Sequence, residues 1–208
     1  MPTPGIPGEI VRAPMRTVKA STLEVYAQPR RQLARLADAG RMLRLGPGIY
    51  TAVPDDRVGT GWAPTLETAA AALSTAIYGA RVPVLMGLSA ARIHQAIPRA
   101  IGVALVAVPG HHRAMALPEQ IGGLVRFVTR DVGRLDAELV STELGQTLVT
   151  TPEQTILDLT RRPDLGGLPN EAASAVQALL ARADENVLAS LAQDQRMRAT
   201  LARVRRHG

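Results

Sequence analysis

Three arginines near the N-terminus have the spacing of a single helix face. At about 3.6 residues per turn, Arg30, Arg31 and Arg35 fall on the outer arc of a helix whose leucines take the inner arc. Guanidinium groups bind phosphates and guanine edges, so these side chains are candidate DNA contacts. Arg44, in the segment after this helix, is a candidate contact to the DNA backbone. The alternative is that the same module packs against the rest of the chain or against a protein partner.

The histidines and one helical aspartate indicate no catalytic or metal site. His111 and His112 are adjacent, and neighbouring strand residues point to opposite faces, so the pair chelates poorly and is expected in a solvated loop. His94 falls on an apolar helix, where a buried, hydrogen-bonded histidine is expected. Asp158 is expected to be solvated or to support a neighbouring group. The absence of cysteine excludes disulfides, cysteine-ligated zinc and thiol catalysis.

Motifs for phosphoryl transfer are missing from the sequence. Neither the P-loop pattern nor a glycine-rich dinucleotide loop occurs. Lys19 is the single lysine, so arginine supplies the rest of the 24 basic residues. A conventional kinase needs an active-site lysine with a set of Asp and Asn residues, and no such set is visible. Enzymatic activity is therefore left open, and no catalytic residue, metal ligand or cofactor is assigned.

Residues 1–60 contain the elements that would position the arginines. A proline-rich lead-in over residues 1–14 is expected to be extended or frayed. Ser21 and Glu24 then have the spacing of a capping box, which predicts a short helix through Ala27.

A second helix and a hairpin follow in the same module. Pro29 suits a first helical position and Gly40 suits a left-handed C-terminal cap, so a helix is predicted over residues 30–39. Two short β segments flank the turn Gly46–Gly48 and predict a hairpin. Helix, turn, basic helix and hairpin are the order of a small winged helix-turn-helix, with the basic helix facing the major groove and the hairpin as the wing.

Residues 61–208 predict a mixed α/β domain, so the fold class expected for the whole chain is α+β. One helix is capped by Ser89 and another by Thr151, with Pro152 at its first position. The strands lie at about 101–150, with a central strand first and two or three antiparallel strands after it. Helices are predicted at residues 65–78, within 85–96, at 152–162, and over 170–206 with a break near Ala183–Asp184.

Charge and composition limit the classes of protein. The net charge of +6 divides into +4 over residues 1–60, zero over 61–165 and +2 over 166–208. A basic module on a neutral body is typical of a protein with one end on a polyanion, although a mildly basic solvated surface explains it equally well. No apolar run approaches the roughly 18 residues of a membrane span, and the N-terminus lacks a secretory signal. A cytoplasmic location is therefore expected.

Three segments, in this order and spacing, resemble one known family. They are "GRMLRLGPGIY" over 40–50, "LSAARIHQAIPRA" over 88–100 and "TTPEQTILDLTRRPDLGG" over 150–167. Together they resemble the AbiEi-type antitoxins of type IV toxin–antitoxin systems, especially the mycobacterial MenA-like members. The resemblance covers roughly residues 30–167. It departs from the family before Ser21, where family members have a full helix and this chain has the proline-rich lead-in.

The resemblance implies a winged-helix domain, an antitoxin domain with C-terminal helices, and a partner toxin of the nucleotidyltransferase superfamily. The leading expectation is therefore an antitoxin that neutralises this toxin, through a contact surface that the sequence does not locate. One alternative is an atypical serine protein kinase, or a promoter of phosphorylation, that modifies an active-site serine of the toxin and would use ATP with magnesium. Another is a DNA-binding autorepressor that binds its operator.

Overall fold

The computed structural model describes residues 5–207 and confirms the α+β class. Residues 1–4 of the proline-rich lead-in lie outside the described residues. The described helices are Gly8–Arg12 (α1), Pro29–Asp38 (α2), Leu66–Tyr78 (α3), Gly87–Ile93 (α4), Pro152–Arg161 (α5), Pro169–Leu180 (α6), Glu185–Asp194 (α7) and Arg198–His207 (α8). The strands are Thr17–Lys19 (β1), Met42–Gly46 (β2), Ile49–Ala52 (β3), Val84–Leu85 (β4), Val103–Val108 (β5), Met115–Ala116 (β6), Leu124–Thr129 (β7), Ala137–Thr142 (β8) and Gly145–Thr150 (β9).

The first sheet has the strand order β1-β3-β2 and is antiparallel throughout. Its hairpin β2–β3 and the preceding helix α2 form where the sequence predicts them. Pro29 is the first residue of α2, and Gly40 has a φ of +66°, which a residue with a Cβ adopts only at a cost. Strand β1 was not predicted. It pairs with β3, with Thr17 opposite Thr51.

The short helix predicted from Ser21 through Ala27 does not form. A 3₁₀ turn at Ala20–Thr22 replaces it, and the Ser21 side chain caps no amide. Leu23 is the buried anchor of this stretch, and a segment of about seven residues is too short to be a stable helix on its own. Pro29 also restricts Gln28 to a non-helical conformation. The lead-in is not wholly extended either, because residues 8–12 form α1.

The second sheet has six strands in the order β6-β7-β5-β4-β9-β8. Strand β5 is central, as predicted, and β8–β9 are antiparallel, as predicted. The expectation of antiparallel pairing throughout is wrong, because β5 pairs in parallel with β7 and β4 pairs in parallel with β9. The two-residue strand β6 runs antiparallel to β7, so the chain turns back after β5 and turns again before β7.

Helices cover both faces of the six-stranded sheet. Alternate residues of β5 face opposite sides, so Leu105 and Ala107 belong to one hydrophobic cluster, and Ala104 and Val106 belong to another. The first cluster is formed with helices α4–α8. The second is formed with α3 and with Leu43, Leu45 and Ile49 of the first sheet. The small alanines of α3 allow this helix to pack between the two sheets.

In residues 61–208, the capping residue predicted from the sequence is correct for one helix and wrong for another. Thr151 caps α5 by accepting a hydrogen bond from the Gln154 amide at 3.3 Å. Ser89 is not a cap, since α4 begins at Gly87. The Ser89 hydroxyl is buried and accepts a hydrogen bond from the Leu105 amide at 2.8 Å. The C-terminal helical segment is interrupted near residues 181–184, as predicted, and again before Arg198.

Candidate anion-binding cleft

A cleft lined by arginines lies between strand β7 and helix α5. Side chains alternate along β7, so Arg126, Val128 and Arg130 share the sheet face that carries the C-terminal helices. The last turns of α5 supply Asp158 and Arg161 to the opposite wall. We call this the arginine cleft.

The arginine cleft consists of two adjoining cavities. The larger has a volume of about 210 Å³, and the smaller has a volume of about 140 Å³. Arg130 and Arg161 line both. The larger is completed by Met86, Val128, Thr129, Asp158, Arg162 and Leu165. The smaller is completed by Asp131, Arg134, Leu135 and Gln195.

Asp158 and Arg130 form an ion pair in the larger cavity. Arg130 Nη1 donates to Asp158 Oδ1 at 3.0 Å, with the Asp158 side chain 2% exposed and the Arg130 side chain 27% exposed. The other carboxylate oxygen, Oδ2, has no hydrogen-bond partner among the described residues. Burial raises the pKa of Asp158 above its ordinary value, and the nearby charge of Arg130 opposes this rise. A solvated Asp158 is therefore wrong, and a carboxylate that supports a neighbouring group fits.

The burial of Asp158 follows from the position of α5. This helix lies between the six-stranded sheet and the helices α6, α7 and α8, so residues Gln154 to Leu159 are all buried. The helical periodicity predicts only one covered face, which is why a solvated carboxylate is one of the two expectations for Asp158.

The remaining arginines of the cleft differ in their bonding. Arg134 Nη2 donates to the Asp194 carbonyl at 2.9 Å, so it is held by a backbone oxygen. Arg126 lines neither cavity, and its Nη1 donates to the carbonyl of the cleft residue Leu165 at 2.7 Å. Arg161 and Arg162 are exposed at the end of α5. The described residues accept no hydrogen bond from either of these two guanidinium groups, although Arg161 acts on Asp158 through its charge.

The larger cavity has an excess of positive charge. Arg130, Arg161 and Arg162 face the single carboxylate of Asp158, so two positive charges are not balanced within the cavity. Arginine presents a planar fork of donors that matches the oxygens of phosphate and carboxylate groups. The cleft is therefore suited to bind an anion.

The predicted DNA-binding arginines lie elsewhere. Arg30, Arg31 and Arg35 are exposed on α2, and Arg44 is exposed on β2, where its Nε donates to the Gly46 carbonyl at 3.2 Å. The structure places the first three on one helix, as the spacing predicts, and places none of the four in the arginine cleft. Lys19 is exposed at the end of β1 and does not line the cleft either.

The histidines have structural surroundings. His94 Nε2 lies 2.7 Å from the Thr150 carbonyl oxygen, which gives this partly buried histidine the expected partner. His111 and His112 lie in the irregular segment after β5, as predicted. His112 is half-buried, with its ring centroid 4.7 Å from that of Phe127. Within residues 5–207, no group of three His, Cys, Asp or Glu side chains could hold a metal ion.

Sequence reasoning did not identify the arginine cleft. Its residues come from segments about thirty positions apart, and pairing them requires knowledge of how α5 lies on the sheet. The available signal is weak and local. Arg126 and Arg130 are an even number of residues apart, as on one face of a strand, and Arg161 and Arg162 follow the apolar residues of α5.

Comparisons with known proteins identify no family. No family model matches the chain, and no curated protein matches it. One similar solved structure is the crystal structure of the RV2827C protein from Mycobacterium tuberculosis, with 17% sequence identity and a TM-score of 0.48. The match covers 79% of this chain and 59% of that chain, so this chain spans less than two thirds of the neighbour. A likeness of this degree leaves the function to be argued from the chain itself.

The length and composition of the helices bear on whether one of them could cross a membrane. Among the described residues, no helix combines the length and the apolar composition needed to cross a bilayer.

Proposed function

We propose that this protein is an antitoxin that binds and neutralises a cognate nucleotidyltransferase toxin, and that the arginine cleft is part of the contact surface. The observation that carries the proposal is the excess of positive charge in the cleft, with Arg161 and Arg162 exposed and donating no hydrogen bond to the described residues. The resemblance of three sequence segments to antitoxins supplies the class of partner.

Charge complementarity supports this partner. Enzymes that transfer nucleotidyl groups use magnesium ions held by carboxylates, so their active sites are acidic when the metal is absent and hold anionic phosphates when it is present. The exposed arginines at the end of α5 can pair with the carboxylates of the metal-free site or with the phosphates of the metal-bound site. A patch of positive charge on one protein also speeds its encounter with a negative patch on the other.

The composition of the cleft favours binding over catalysis. Among the described residues that line the two cavities there is no histidine or lysine that could transfer a proton near neutral pH. The single buried carboxylate already accepts a hydrogen bond from Arg130. The simplest function of this surface is therefore to neutralise the toxin by binding to it.

Growth rescue tests the proposal. The wild-type protein and two variants are co-expressed with the neighbouring toxin gene, and complex formation is followed with purified proteins. We expect the wild type to rescue growth and the double reversal Arg161→Glu with Arg162→Glu to fail. The matched control, Arg198→Glu with Arg206→Glu, reverses the same number of charges on exposed positions of α8 and keeps rescue. Failure of the wild type to rescue contradicts the antitoxin, and full rescue by the first variant contradicts the cleft as the contact.

The intact mass of the toxin in the same experiment separates two mechanisms. A toxin that is inhibited with its mass unchanged is neutralised by binding. A toxin that gains the mass of a phosphate when ATP and magnesium are supplied supports the alternative of an atypical serine protein kinase, or of a promoter of phosphorylation.

A second candidate function is operator binding by the N-terminal segment. The observation that favours it is the exposed arginine face of α2, which packs beside the hairpin β2–β3. We propose that the module of residues 1–60 acts as a winged helix, with α2 in the major groove and the hairpin as the wing. Arg30, Arg31 and Arg35 then contact phosphates or guanine edges, and Arg44 contacts the backbone.

A further inference from the structure

One buried oxygen in the arginine cleft lacks a partner. Asp158 Oδ2 has no hydrogen-bond partner among the described residues, although the side chain is 2% exposed. Buried polar atoms are almost always hydrogen-bonded, and an unpaired carboxylate oxygen is among the more costly exceptions. Because Asp158 lines the larger cavity, a group bound there can supply the missing donor.

The charged residues that line the same cavity indicate the sign and the magnitude of the charge on the bound group. Arg130 is already paired with Asp158, whereas Arg161 and Arg162 have donors to spare. The two unbalanced positive charges match a dianion. A zwitterion leaves both charges unbalanced, and a single carboxylate balances only one.

The volume admits a small group. One water molecule needs about 10–15 Å³ of a cavity volume of this kind, so the cavity of about 210 Å³ admits a group several times larger than water. This is enough for a phosphate with a few attached atoms, and the adjoining cavity of about 140 Å³ extends the space past Arg130.

We propose that the larger cavity binds a dianionic phosphate group, free or as a monoester, that has a hydroxyl donor beside it. The phosphate oxygens accept hydrogen bonds from Arg161 and Arg162, and the hydroxyl donates to Asp158 Oδ2. In free phosphate the donor is the hydroxyl on phosphorus. In a sugar phosphate it is the hydroxyl on a neighbouring carbon. This site belongs to the protein alone and does not depend on the toxin, although a bound phosphate would occupy the surface proposed to meet it.

Sulfate is the discriminating probe. It is a dianion of similar shape, but it has no hydroxyl and so leaves Asp158 Oδ2 unpaired. We expect calorimetric titration of the purified full chain at low salt to give tighter binding of inorganic phosphate than of sulfate, by about tenfold for one charge-assisted hydrogen bond. Equal binding of the two anions contradicts the role of Asp158.

Variants test the other contacts. Arg161→Ala with Arg162→Ala removes exposed side chains and is expected to weaken phosphate binding by about tenfold or more for each arginine. The control Arg198→Ala with Arg206→Ala is expected to bind like the wild type. Equal weakening in both double variants indicates only general attraction to a basic protein and overturns the site. Asp158→Asn is expected to abolish the preference for phosphate over sulfate.

The source of the phosphate is decided by comparing inorganic phosphate with ribose 5-phosphate on the wild type. Tighter binding of the sugar phosphate assigns the site to monoesters, and tighter binding of inorganic phosphate assigns it to the free ion. The phosphate site and the antitoxin function can fail independently of each other. Growth rescue without binding of phosphate contradicts only the phosphate site. Phosphate binding without growth rescue contradicts only the antitoxin function.

Discussion

Arg130 and Asp158 join strand β7 to helix α5 through an ion pair with 3.0 Å between Nη1 and Oδ1. Arg130 lines both cavities of the arginine cleft and Asp158 lines the larger one, so the same contact holds the fold together and shapes the site. Its two partners are unequal, because the carboxylate is almost fully buried and the guanidinium is partly exposed.

Arg130→Ala is expected to destabilise the protein strongly. The change leaves a buried carboxylate without its ion-pair partner, which typically costs about 3 kcal/mol or more. Urea unfolding followed by circular dichroism measures the loss. Arg205→Ala is the control, because Arg205 pairs with Glu185 on the surface, where such pairs contribute about 1 kcal/mol or less. A loss for Arg130→Ala no larger than that of the control would contradict the buried pair.

The contribution of Asp158 to stability is expected to fall as the pH rises. Its pKa is raised by burial from the ordinary 3.8, so the folded protein holds a proton that the unfolded chain has already lost. This contribution is greatest below 3.8 and is lost as the pH rises through the raised pKa. Urea melts of the wild type and of Asp158→Asn between about pH 4 and pH 7 measure it, since asparagine does not titrate. The free energy of unfolding of the wild type minus that of the variant should decrease across this range. A constant difference would show that burial does not raise the pKa.

Arg30→Ala with Arg35→Ala is expected to weaken binding to promoter DNA. If both arginines contact phosphates, the slope of log K against log salt becomes shallower by about 2. Gel retardation or fluorescence anisotropy over a series of salt concentrations gives the slope. The variant Arg198→Ala with Arg206→Ala removes the same charge from α8 and should keep the wild-type slope. Absence of retardation by the wild-type protein at low salt would refute operator binding.

Gly123→Ala is expected to destabilise more than Gly122→Ala. Both glycines have positive φ, +84° and +73°, so a Cβ at either position costs about 1 kcal/mol. A Cβ at Gly123 would also lie 2.9 Å from the Gly102 carbonyl oxygen, whereas at Gly122 the nearest atom would be 3.9 Å away. Crowding should add about 2 kcal/mol at Gly123. Chemical denaturation of the two variants measures this difference directly. Equal losses of stability in the two variants would mean that the backbone beside β5 shifts to accept the added Cβ at no cost in free energy.

Local chemistry determines which elements the sequence could predict. Helices α2 and α5 begin at Pro29 and Pro152, where a fixed φ and a missing amide suit a first helical position, and both were predicted. Strand β5 was predicted because an uninterrupted apolar run requires burial on both faces.

Non-local pairing explains what the sequence did not show. Strands β4 and β6 have two residues each, too few for any pattern. Strand β6 reverses the chain so that β5 and β7 are parallel, and β4 lies between β5 and β9 in the sheet. The arginine cleft depends on this arrangement, because Arg130 reaches Asp158 only when α5 covers that face of the sheet. Arg30, Arg31 and Arg35, by contrast, share helix α2, so grouping them needed no tertiary information.

Trp62 lies between the hairpin β2–β3 and helix α3, partly buried against the cluster that both contribute to. It is the only tryptophan in the chain, so the intrinsic fluorescence of the isolated protein excited at long wavelength comes from this one site. The emission therefore reports on the junction between the two sheets, while circular dichroism reports mainly on the helices. Comparing the two signals during unfolding would show whether the N-terminal module separates from the body before the helices melt.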